Sequence, residues 1–311
     1  MDKFTCMQAL VRVVESGSFA EAARRMGVSA PMVTKYIGHL EQTLGSRLLN
    51  RSTHSLSLTD SGHAYYQRCV QLLDDLDEAE AVASAQNKSP RGSLRMSVST
   101  DFGVDHLGPV LLEYSSQYPD VRIDVSVSNH LVDLVEEGFD LAVRITNQLR
   151  TNLVARKLAT SSLIACASAA YLERHGTPQI PENLVHHNCL SFSTTDLTGE
   201  QWRFVREGRV SIVKAAGNLR ASSNELLKLA ALQGQGVVLQ PTFNVSDDLR
   251  AQRLVPILTD HDAGSLGIYV VYPHRKHQTA KVRSFIDTLT GRWGADADRD
   301  PFWTAERGPR P

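Results

Sequence analysis

Apolar residues recur at helical intervals between residues 29 and 44. In the stretch "SAPMVTKYIGHLE", Val33, Ile37 and Leu40 are spaced four and three residues apart, and Leu44 extends the row, so this side of a helix is predicted to be core. The other side is not crowded with the Glu and Lys that cover most solvated helices, and Lys35 is its one strongly charged residue. It carries small or weakly polar residues, namely Ser29, Thr34, Lys35, Gly38 and His39.

The surrounding segment is predicted to consist of short helices. Ser18 and Glu21 fit a capping box that begins one helix, in which Ser18 caps the helix and Glu21 reaches back, and Gly27 ends that helix. Ser29 is predicted to cap the next helix. Two short helices with a glycine-containing turn between them are typical of a helix-turn-helix. The alternating stretch 50–59 predicts a hairpin, or wing.

Residues 60–87 contain no proline, and Gly62 is their only glycine. Their apolar residues follow a heptad pattern that predicts a linker helix pairing with a second copy of the chain; they are Tyr65, Cys69, Leu72, Leu76, Ala79 and Ala83. The segment is strongly acidic, so it is not expected to lie along DNA. A surface helix packed on its own domain is the alternative. Residues 88–93, "KSPRGS", are predicted to be a hinge.

From residue 94 onward, predicted strands and helices alternate, which favours a mostly parallel sheet covered by helices. The stretch 131–137, "LVDLVEE", is predicted to be a helix, and the alternation restarts at the strand 162–168, "SLIACAS". The length suits two lobes. The predicted divisions are lobe I at about 94–162 and 267–293, lobe II at about 163–266, and a loose C-terminal tail at 294–311.

Composition adds few constraints. Hydrophobic residues make up 42% of the 311 residues, charged residues 22%, and the net charge is -1, so only a local basic patch would attract nucleic acid. No stretch approaches the ~18 consecutive apolar residues of a membrane span. The four cysteines show no C-x-x-C spacing, and reduced thiols in a cytoplasmic protein are the simplest interpretation. Oxidant sensing by Cys166 or Cys189 is the alternative.

The stretch Ala22 to Tyr66, "AARRMGVSAPMVTKYIGHLEQTLGSRLLNRSTHSLSLTDSGHAYY", resembles the DNA-binding end of LysR-type transcriptional regulators. Later stretches, including "FDLAVRI", "LVARKLA" and "AALQGQGVVLQP", extend the resemblance to about residue 290. The resemblance implies an α+β multidomain fold and a sequence-specific regulator. Its implied parts are an all-α winged helix-turn-helix at 1–59, a long linker helix at 60–87, the hinge at 88–93 and a two-lobed α/β, periplasmic-binding-protein-like effector domain at 94–293.

The resemblance gives the flat helix face a role, because a recognition helix must fit a major groove about 12 Å wide. It implies that Thr34 and Lys35 contact DNA. Ser29 and the first amides of the helix suit a phosphate, and Pro31 and Met32 suit a thymine methyl group. His54 departs from the family, where many relatives have Arg. The full set of predicted DNA-binding residues is Ser29, Ala30, Pro31, Met32, Thr34, Lys35, Arg51, His54 and Ser55.

One recognition helix reads few bases. A homodimer formed through residues 60–87 would double the contacts and require a near-palindromic operator in double-stranded DNA. The resemblance further implies tetramers built from two such dimers, and RNA polymerase is a further candidate partner.

Polar residues at the predicted carboxyl ends of strands indicate a ligand site between the lobes, as in the family. Arg144 suits a small anionic metabolite, and a structural salt bridge is its alternative role. Strand core is the alternative for Trp202, and a plain helix cap is the alternative for Ser223. The predicted effector-binding residues are Ser99, Thr100, Phe102, Ser128, Asn129, Arg144, Thr146, Thr194, Trp202 and Ser223. A vestigial pocket that binds nothing is the rival hypothesis.

Signals for catalysis are weak. The stretch "HHNC", 186–189, has no second cluster to complete a metal site, and "GQGVVL" lacks the third glycine of a dinucleotide fingerprint. No nucleophile elbow, phosphate loop or paired carboxylates are found. We therefore expect no cofactor, no metal and no enzymatic activity. A solute-binding protein on the same two-lobed fold is a further rival, against which residues 1–59 argue.

Overall fold

The computed structural model describes residues 1–51, 56–83, 89–130, 132–149, 153–193, 199–273 and 279–303. Contacts divide the chain into two compact units. The N-terminal unit contains residues 1–93 with 120–122 and 279–281, and the C-terminal unit contains the remainder. No helix in the described part of the chain is both long enough and apolar enough to span a membrane.

Helices dominate the N-terminal unit, with one small hairpin. Its elements are α1 Lys3–Ser16, α2 Phe19–Met26, α3 Ala30–Leu44, β1 Leu49–Arg51, β2 Leu56–Leu58 and α4 Asp60–Ala83. The strands β1 and β2 pair antiparallel, as a wing requires. The predicted core row of α3 is confirmed for Val33, Ile37 and Leu40, which are all buried. It is wrong for Leu44, which is 38% exposed where the helix ends.

The predicted capping box at the start of α2 is half confirmed. Ser18 Oγ accepts the N–H of Glu21 at 3.4 Å. The reciprocal contact is wrong, because the Glu21 carboxylate instead pairs with Arg24 and Arg25 one turn later. The N–H of Ser18 donates to Ser16 Oγ. Two adjacent guanidinium groups thus compete successfully for the carboxylate that a capping box would use.

A close backbone approach fixes the start of α4. Thr59 Oγ1 accepts the N–H of Gly62 at 2.9 Å and donates to the carbonyl of Arg47 at 2.7 Å. A Cβ added at Gly62 would lie 1.9 Å from the carbonyl oxygen of Leu48, so only glycine fits there. Glu41 Oε1 accepts the N–H of Leu48 at 2.9 Å, which attaches the segment before the wing to α3.

The first half of the predicted pairing seam on α4 faces its own domain. Cys69 is fully buried in the same core as Cys6 and Leu10, and Tyr65 packs against that core. The prediction that Tyr65 and Cys69 pair with a second chain is therefore wrong, because the first turns of α4 cover α1. Leu72, 47% exposed, is the first seam residue on the surface. The side chains of residues 77–83 lie outside the described ones.

One large mixed sheet organises the rest of the chain, beside a separate hairpin. The strands are β3 Gly92–Val98, β4 Val121–Val127, β5 Leu141–Thr146, β6 Val154–Ala167, β7 Cys189–Phe192, β8 Gln201–Arg206, β9 Arg209–Lys214, β10 Arg220–Ala221, β11 Val237–Pro241, β12 Val255–Ile257 and β13 Ser265–Tyr272. The order in the large sheet is β10-β7-β11-β6-β13-β5-β3-β4, with β12 also paired to β6, and the hairpin is formed by β8 and β9. The hinge predicted at 88–93 therefore ends earlier, since Gly92 already begins β3.

Helices and helical turns cover the sheet. They are α5 Thr100–Phe102, a π-helical turn Gly103–Leu107, α6 Gly108–Gln117, α7 Ala169–His175, a 3-10 turn Pro181–His186, α8 Asn224–Leu232, α9 Thr242–Arg250, α10 Ala280–Trp293 and a 3-10 turn Gly294–Asp296. The helix predicted at 131–137 is wrong. Where it is described, this stretch is a turn, because Asp133 Oδ1 accepts the N–H groups of Val135 and Glu136.

The expectation of a mostly parallel sheet is also wrong. The pairs β3–β5, β7–β10 and β7–β11 are parallel, but β6 and β13 run antiparallel to their neighbours through the middle of the sheet. The strand β6 is a single 14-residue strand where the sequence predicted a break. Its first part pairs with β13 in lobe I, and its last part pairs with β11 and β12 in lobe II.

The predicted loose tail is wrong for residues 294–303, which dock on the C-terminal unit. Asp300 Oδ2 accepts the N–H of Ser162 at 2.8 Å and the hydroxyl of Thr242 at 2.7 Å. Phe302 is buried, and Trp303 packs against a core cluster of lobe II. These ten residues lack periodicity because they form only one helical turn, but their buried contacts fix them. Residues 304–311 lie outside the described ones.

Candidate DNA-binding helix and ligand site

The face of α3 opposite its buried row is open. Pro31, Met32, Thr34 and Lys35 are all exposed on it. Thr34 Oγ1 donates to the carbonyl of Ala30 at 3.1 Å, which leaves its methyl group and its acceptor capacity for another molecule. No ion pair to Lys35 occurs within the described residues. The face is therefore slim, with one positive charge.

The start of α3 offers fewer amides to a phosphate than the sequence suggested. The side chain of Ser29 makes no capping hydrogen bond, so the cap predicted there is wrong for its hydroxyl. Its carbonyl accepts the N–H groups of Met32 and Val33, and Pro31 has no N–H. The hydroxyl of Ser29 and the N–H of Ala30 are left to face an incoming phosphate.

The wing can be followed only at its base. Arg51 ends β1, but its side chain lies outside the described ones. His54 and Ser55 fall within residues 52–55, which are also outside the described residues. The predicted roles of these three residues stay predictions.

In lobe I, Arg144 lies at the carboxyl end of β5 and beside the end of β3. The parallel register places Val143 opposite Val98, so Arg144 follows at the level of Ser99. Both terminal nitrogens of Arg144 lie 3.3 Å from Ser97 Oγ, and burial lowers the pKa of its guanidinium, an effect that the charge of Glu137 opposes. Over the described part of the chain, no carboxylate forms an ion pair with Arg144, so the structural salt bridge considered as its alternative role is absent there.

Two side chains at the ends of lobe I strands bind to lobe II. Asn129 Oδ1 accepts the N–H of Thr100 at 3.0 Å, and Asn129 Nδ2 donates to the carbonyl of Ser222 at 3.0 Å. Asp101 Oδ2 accepts from Asn224, through its side-chain amide at 2.9 Å and its backbone N–H at 3.3 Å. These contacts bring α5 of lobe I against the N-terminus of α8 in lobe II.

Three buried polar atoms near this junction have no hydrogen-bond partner in the described residues. They are Ser99 Oγ, Asp101 Oδ1 and Gln240 Nε2. Ser99 was predicted from the sequence, whereas Asp101 and Gln240 were missed. Asp101 lies in the helical run that follows β3, and Gln240 interrupts the apolar strand "VVLQP", which is the signal that could have identified it.

Several predicted effector residues have other roles. Trp202 is only 1% exposed in the lobe II core, beside Phe204, which agrees with the strand-core alternative. Ser223 Oγ accepts the N–H of Leu226 at 3.3 Å, which is the plain cap considered as the alternative. Phe102 is fully buried and stacks on His106 with ring centroids 5.1 Å apart, which favours a packing role.

The remaining predicted positions are occupied locally or lie outside the described residues. Thr146 Oγ1 donates to the carbonyl of Gln148 at 2.9 Å and accepts its N–H at 3.1 Å, so it closes a turn. Ser128 Oγ accepts the N–H of His130 at 3.1 Å. Thr194 belongs to residues 194–198, which lie outside the described ones.

The cysteines are buried and free. Burial raises the pKa of the Cys166 and Cys189 thiols to about 12, far from the thiolate that oxidation requires. In the stretch 186–189, His187 Nδ1 lies 3.3 Å from the hydroxyl of Tyr171, and Cys189 Sγ donates to the carbonyl of Leu184. Among the residues that the structure describes, no group of three or more His, Cys, Asp or Glu side chains is placed to hold a metal ion.

Comparison with known proteins matches both halves of the chain. Residues 4–63 match the family described as bacterial regulatory helix-turn-helix protein, lysR family, and residues 87–294 match the family described as LysR substrate binding domain. The chain therefore belongs to the LysR family of transcriptional regulators. Members of this family bind DNA and small-molecule effectors and are oligomeric. The α+β fold expected from the sequence, a helix-turn-helix followed by a two-lobed α/β domain, is confirmed.

Individual relatives span nearly the whole chain. An uncharacterized HTH-type transcriptional regulator of Haemophilus influenzae is 34% identical over 282 residues, covering 91% of this chain and 98% of that protein. The HTH-type transcriptional activator TtdR of Escherichia coli is 31% identical over 283 residues, covering 91% of each. The structure of CrgA, a LysR-type transcriptional regulator from Neisseria meningitidis, has 31% identity and a TM-score of 0.61, covering 93% of this chain and 98% of that one.

Proposed function

We propose that this LysR-type regulator binds a near-palindromic operator as a homo-oligomer, and that a small anionic metabolite bound between lobes I and II controls it. It acts by binding rather than by catalysis. The open face of α3 supports the first part, because a slim helix with one positive charge and short polar side chains fits a major groove. Ser29, Ala30, Pro31, Met32, Thr34 and Lys35 are the proposed contacts, with Arg51, His54 and Ser55 of the wing.

The second half of α4 supports self-association. Leu72 is a large apolar side chain left exposed on a helix that continues for eleven more residues. We propose that pairing begins at Leu72, since Tyr65 and Cys69 are used within the domain. A dimer bound through two recognition helices requires two half-sites, and two dimers would form the tetramer. RNA polymerase is a proposed further partner.

The observation that carries the effector proposal is Arg144. Its guanidinium is half-buried, touches the neutral hydroxyl of Ser97 and has no carboxylate within ion-pair distance in the described part of the chain, although the more distant charge of Glu137 acts on it. A buried cation normally has a paired charge, and a ligand carboxylate would supply one. Ser99 and Thr100, at the start of α5, lie beside it. The ligand would act by binding one arrangement of the lobes more tightly than another.

Isothermal titration of the full chain with succinate and with its neutral analogue succinamide tests this assignment. We expect succinate alone to bind, and R144M, which keeps the length of the side chain without its charge, to weaken binding by about tenfold or more. R144K separates charge from geometry, because a lysine cannot contact a carboxylate with two parallel N–H groups. Unchanged affinity in R144M would reject Arg144 as the anion partner.

Footprinting on the operator separates a working pocket from a vestigial one. With a functional site, the protected region should change when succinate or a tighter-binding acid is added, and R144M should abolish the change. An identical footprint with and without a ligand that titration shows to bind would favour the vestigial pocket.

A further inference from the structure

The polar atoms around α5 specify more than a negative charge. We propose that Asp101 and Gln240 are specificity-determining residues, and that the ligand is a carboxylic acid carrying a hydrogen-bond donor, a hydroxyl or an ammonium group, beside its carboxylate. This inference rests on the proposed function, because it describes the ligand of the same site. It concerns two residues in opposite lobes, one in α5 and one at the end of β11.

Asp101 presents an acceptor. Its Oδ2 is held by the side-chain amide and the backbone N–H of Asn224, so the carboxylate cannot rotate freely. Its other oxygen, Oδ1, is buried and has no partner among the described residues. An ionised carboxylate oxygen can only accept a hydrogen bond, so its partner must be a donor. A ligand with carboxylates alone would bring like charge to this position, whereas a hydroxyl or an ammonium group would bind.

Gln240 presents a donor from the other lobe. Its side chain is fully buried, its Oε1 accepts from Asn244 Nδ2 at 3.0 Å, and its Nε2 has no partner in the described part of the chain. Alternation along β11 places it on the same face as Val238, which packs against the core cluster that contains Leu227 of α8. The free N–H group requires an acceptor, for which a ligand oxygen is suited.

Both residues lie next to segments that join the two lobes. Phe243, which follows Gln240 by three residues, packs edge-on against Phe102, with ring centroids 5.5 Å apart. Phe102 is the neighbour of Asp101, and the carbonyl of Phe243 lies 2.7 Å from His106 Nε2. The segment 99–102 is therefore held between the N-termini of α8 and α9. Asp101 directly precedes Phe102 and Gln240 lies three residues before Phe243, so an acceptor of lobe I and a donor of lobe II flank that contact along the chain.

Trp202 provides an internal contrast. Its Nε1 is also buried without a described partner, but it lies in the β8–β9 core with Phe204 and Val213. An unpartnered atom at that position does not indicate a ligand. What distinguishes Asp101 and Gln240 is that the groups anchoring them also join the two lobes or lie next to groups that do.

Titration of the full chain with three C4 acids tests the proposal: succinate has no added donor, malate has a hydroxyl and aspartate has an ammonium group. We expect malate or aspartate to bind at least about tenfold more tightly than succinate, the difference typical of one hydrogen bond to a charged group. In D101N the preference should fall to about threefold or less, because malate and aspartate lose their charged acceptor and succinate no longer meets a like charge. In Q240L all acids that bind should lose affinity together. W202F, the matched control, should leave every affinity unchanged.

The outcomes separate this inference from the proposed function. If all three acids bind equally and D101N changes none of the ratios, the donor requirement is wrong and the anionic site stands. If none of the acids binds, both the donor requirement and the anionic class are rejected. The better of malate and aspartate identifies the donor. A thermal unfolding curve for each variant confirms that D101N and Q240L remain folded, and a variant that unfolds is replaced by D101S or Q240M.

Discussion

The recognition helix and the proposed ligand site hold their polar groups in opposite states. On α3 the polar groups are exposed, and the hydroxyl of Thr34 is satisfied within its own helix. Around α5 the polar atoms of Ser99, Asp101 and Gln240 are buried and have no described partner. Exposed groups remain hydrated when nothing is bound, so leaving them unpaired costs little free energy. Buried unpaired groups have a free-energy cost that only a matching ligand removes, so they favour selectivity.

The largest expected effect tests how the exposed face is positioned. In Gly62→Ala, the new Cβ would collide with the carbonyl of Leu48, and we expect the N-terminal unit to lose about 3 kcal/mol of unfolding free energy. Hydrogen exchange in α1 to α4 and urea denaturation would measure it. Gly38→Ala is the matched control, because its Cβ meets no atom within 4 Å and a helical Gly→Ala change stabilises by about 0.5–1 kcal/mol. Equal stability of the two variants would contradict the close approach.

The next effect tests how residues 294–303 are held against the C-terminal unit. Asp300→Ala would leave the hydroxyl of Thr242 and the N–H of Ser162 without their acceptor, at a cost of about 2–3 kcal/mol. Limited proteolysis should then cut the chain near residues 297–303. Asp298→Ala is the control, since Asp298 is 90% exposed in its ion pair with Lys157 and should matter by less than about 1 kcal/mol. If both variants resist protease as well as the unmodified chain does, the docking of residues 294–303 contributes nothing to stability.

A smaller effect sharpens the role assigned to the exposed face. Lys35→Ala should weaken operator binding by about 1.5 kcal/mol. If Lys35 holds a phosphate, the loss is similar on all sequences and the salt dependence falls by about one counterion. If it reads a base, the loss is confined to one operator position. Lys35→Arg keeps the charge, so it should restore the salt dependence if Lys35 holds a phosphate but not if Lys35 reads a base. Fluorescence anisotropy across a salt series distinguishes them, and unaltered binding by Lys35→Ala would remove the residue from the interface.

The last effect is absent at neutral pH and appears only at alkaline pH. Burial raises the pKa of Cys166 and Cys189 to about 12 in the folded chain from the ordinary 9.0. The folded state thus keeps protons that the unfolded state loses. The stabilisation is complete below pH 9 and falls by about 1.4 kcal/mol per pH unit for each thiol as the pH rises towards 12. Urea denaturation between pH 8 and 10.5 should show this slope, and Cys166→Ala should reduce it.

Thiol labelling tests directly whether Cys166 and Cys189 are buried. Buried neutral thiols should react with a thiol reagent at pH 8 only after unfolding, and both positions should behave alike. Rapid labelling of either Cys166 or Cys189 in the native chain would contradict their burial and would restore the oxidant-sensing alternative.

The sequence predicted the recognition helix well because its signal is local. The spacing of Val33, Ile37 and Leu40 determines which side of α3 is buried, whatever the rest of the chain does. The prediction from spacing failed for Leu44, Tyr65 and Cys69. Helical spacing cannot show where the surface that covers a helix ends, or whether that surface belongs to the same domain or to a second chain.

The ligand site was predictable only in part, because its residues come from distant segments. Strand ends identified Ser99, Asn129 and Arg144, which do meet at the junction or beside it. The contact of Asp101 with α8 and the core position of Trp202 could not be predicted, because the first depends on which helix packs against α5 and the second on the β8–β9 hairpin. The docking of residues 294–303 depends on single buried contacts such as Asp300, which leave no periodic trace in the sequence.

The unbroken strand β6 restricts how the lobes can respond to a ligand. Its backbone is bonded to β13 at one end and to β11 and β12 at the other, without a loop where a free swing could occur. Relative movement must then arise from twisting or shearing of a continuous ribbon, and such distortions are small. A metabolite held near Arg144 would therefore transmit its presence as a modest change of twist, which a symmetric assembly could amplify across several copies.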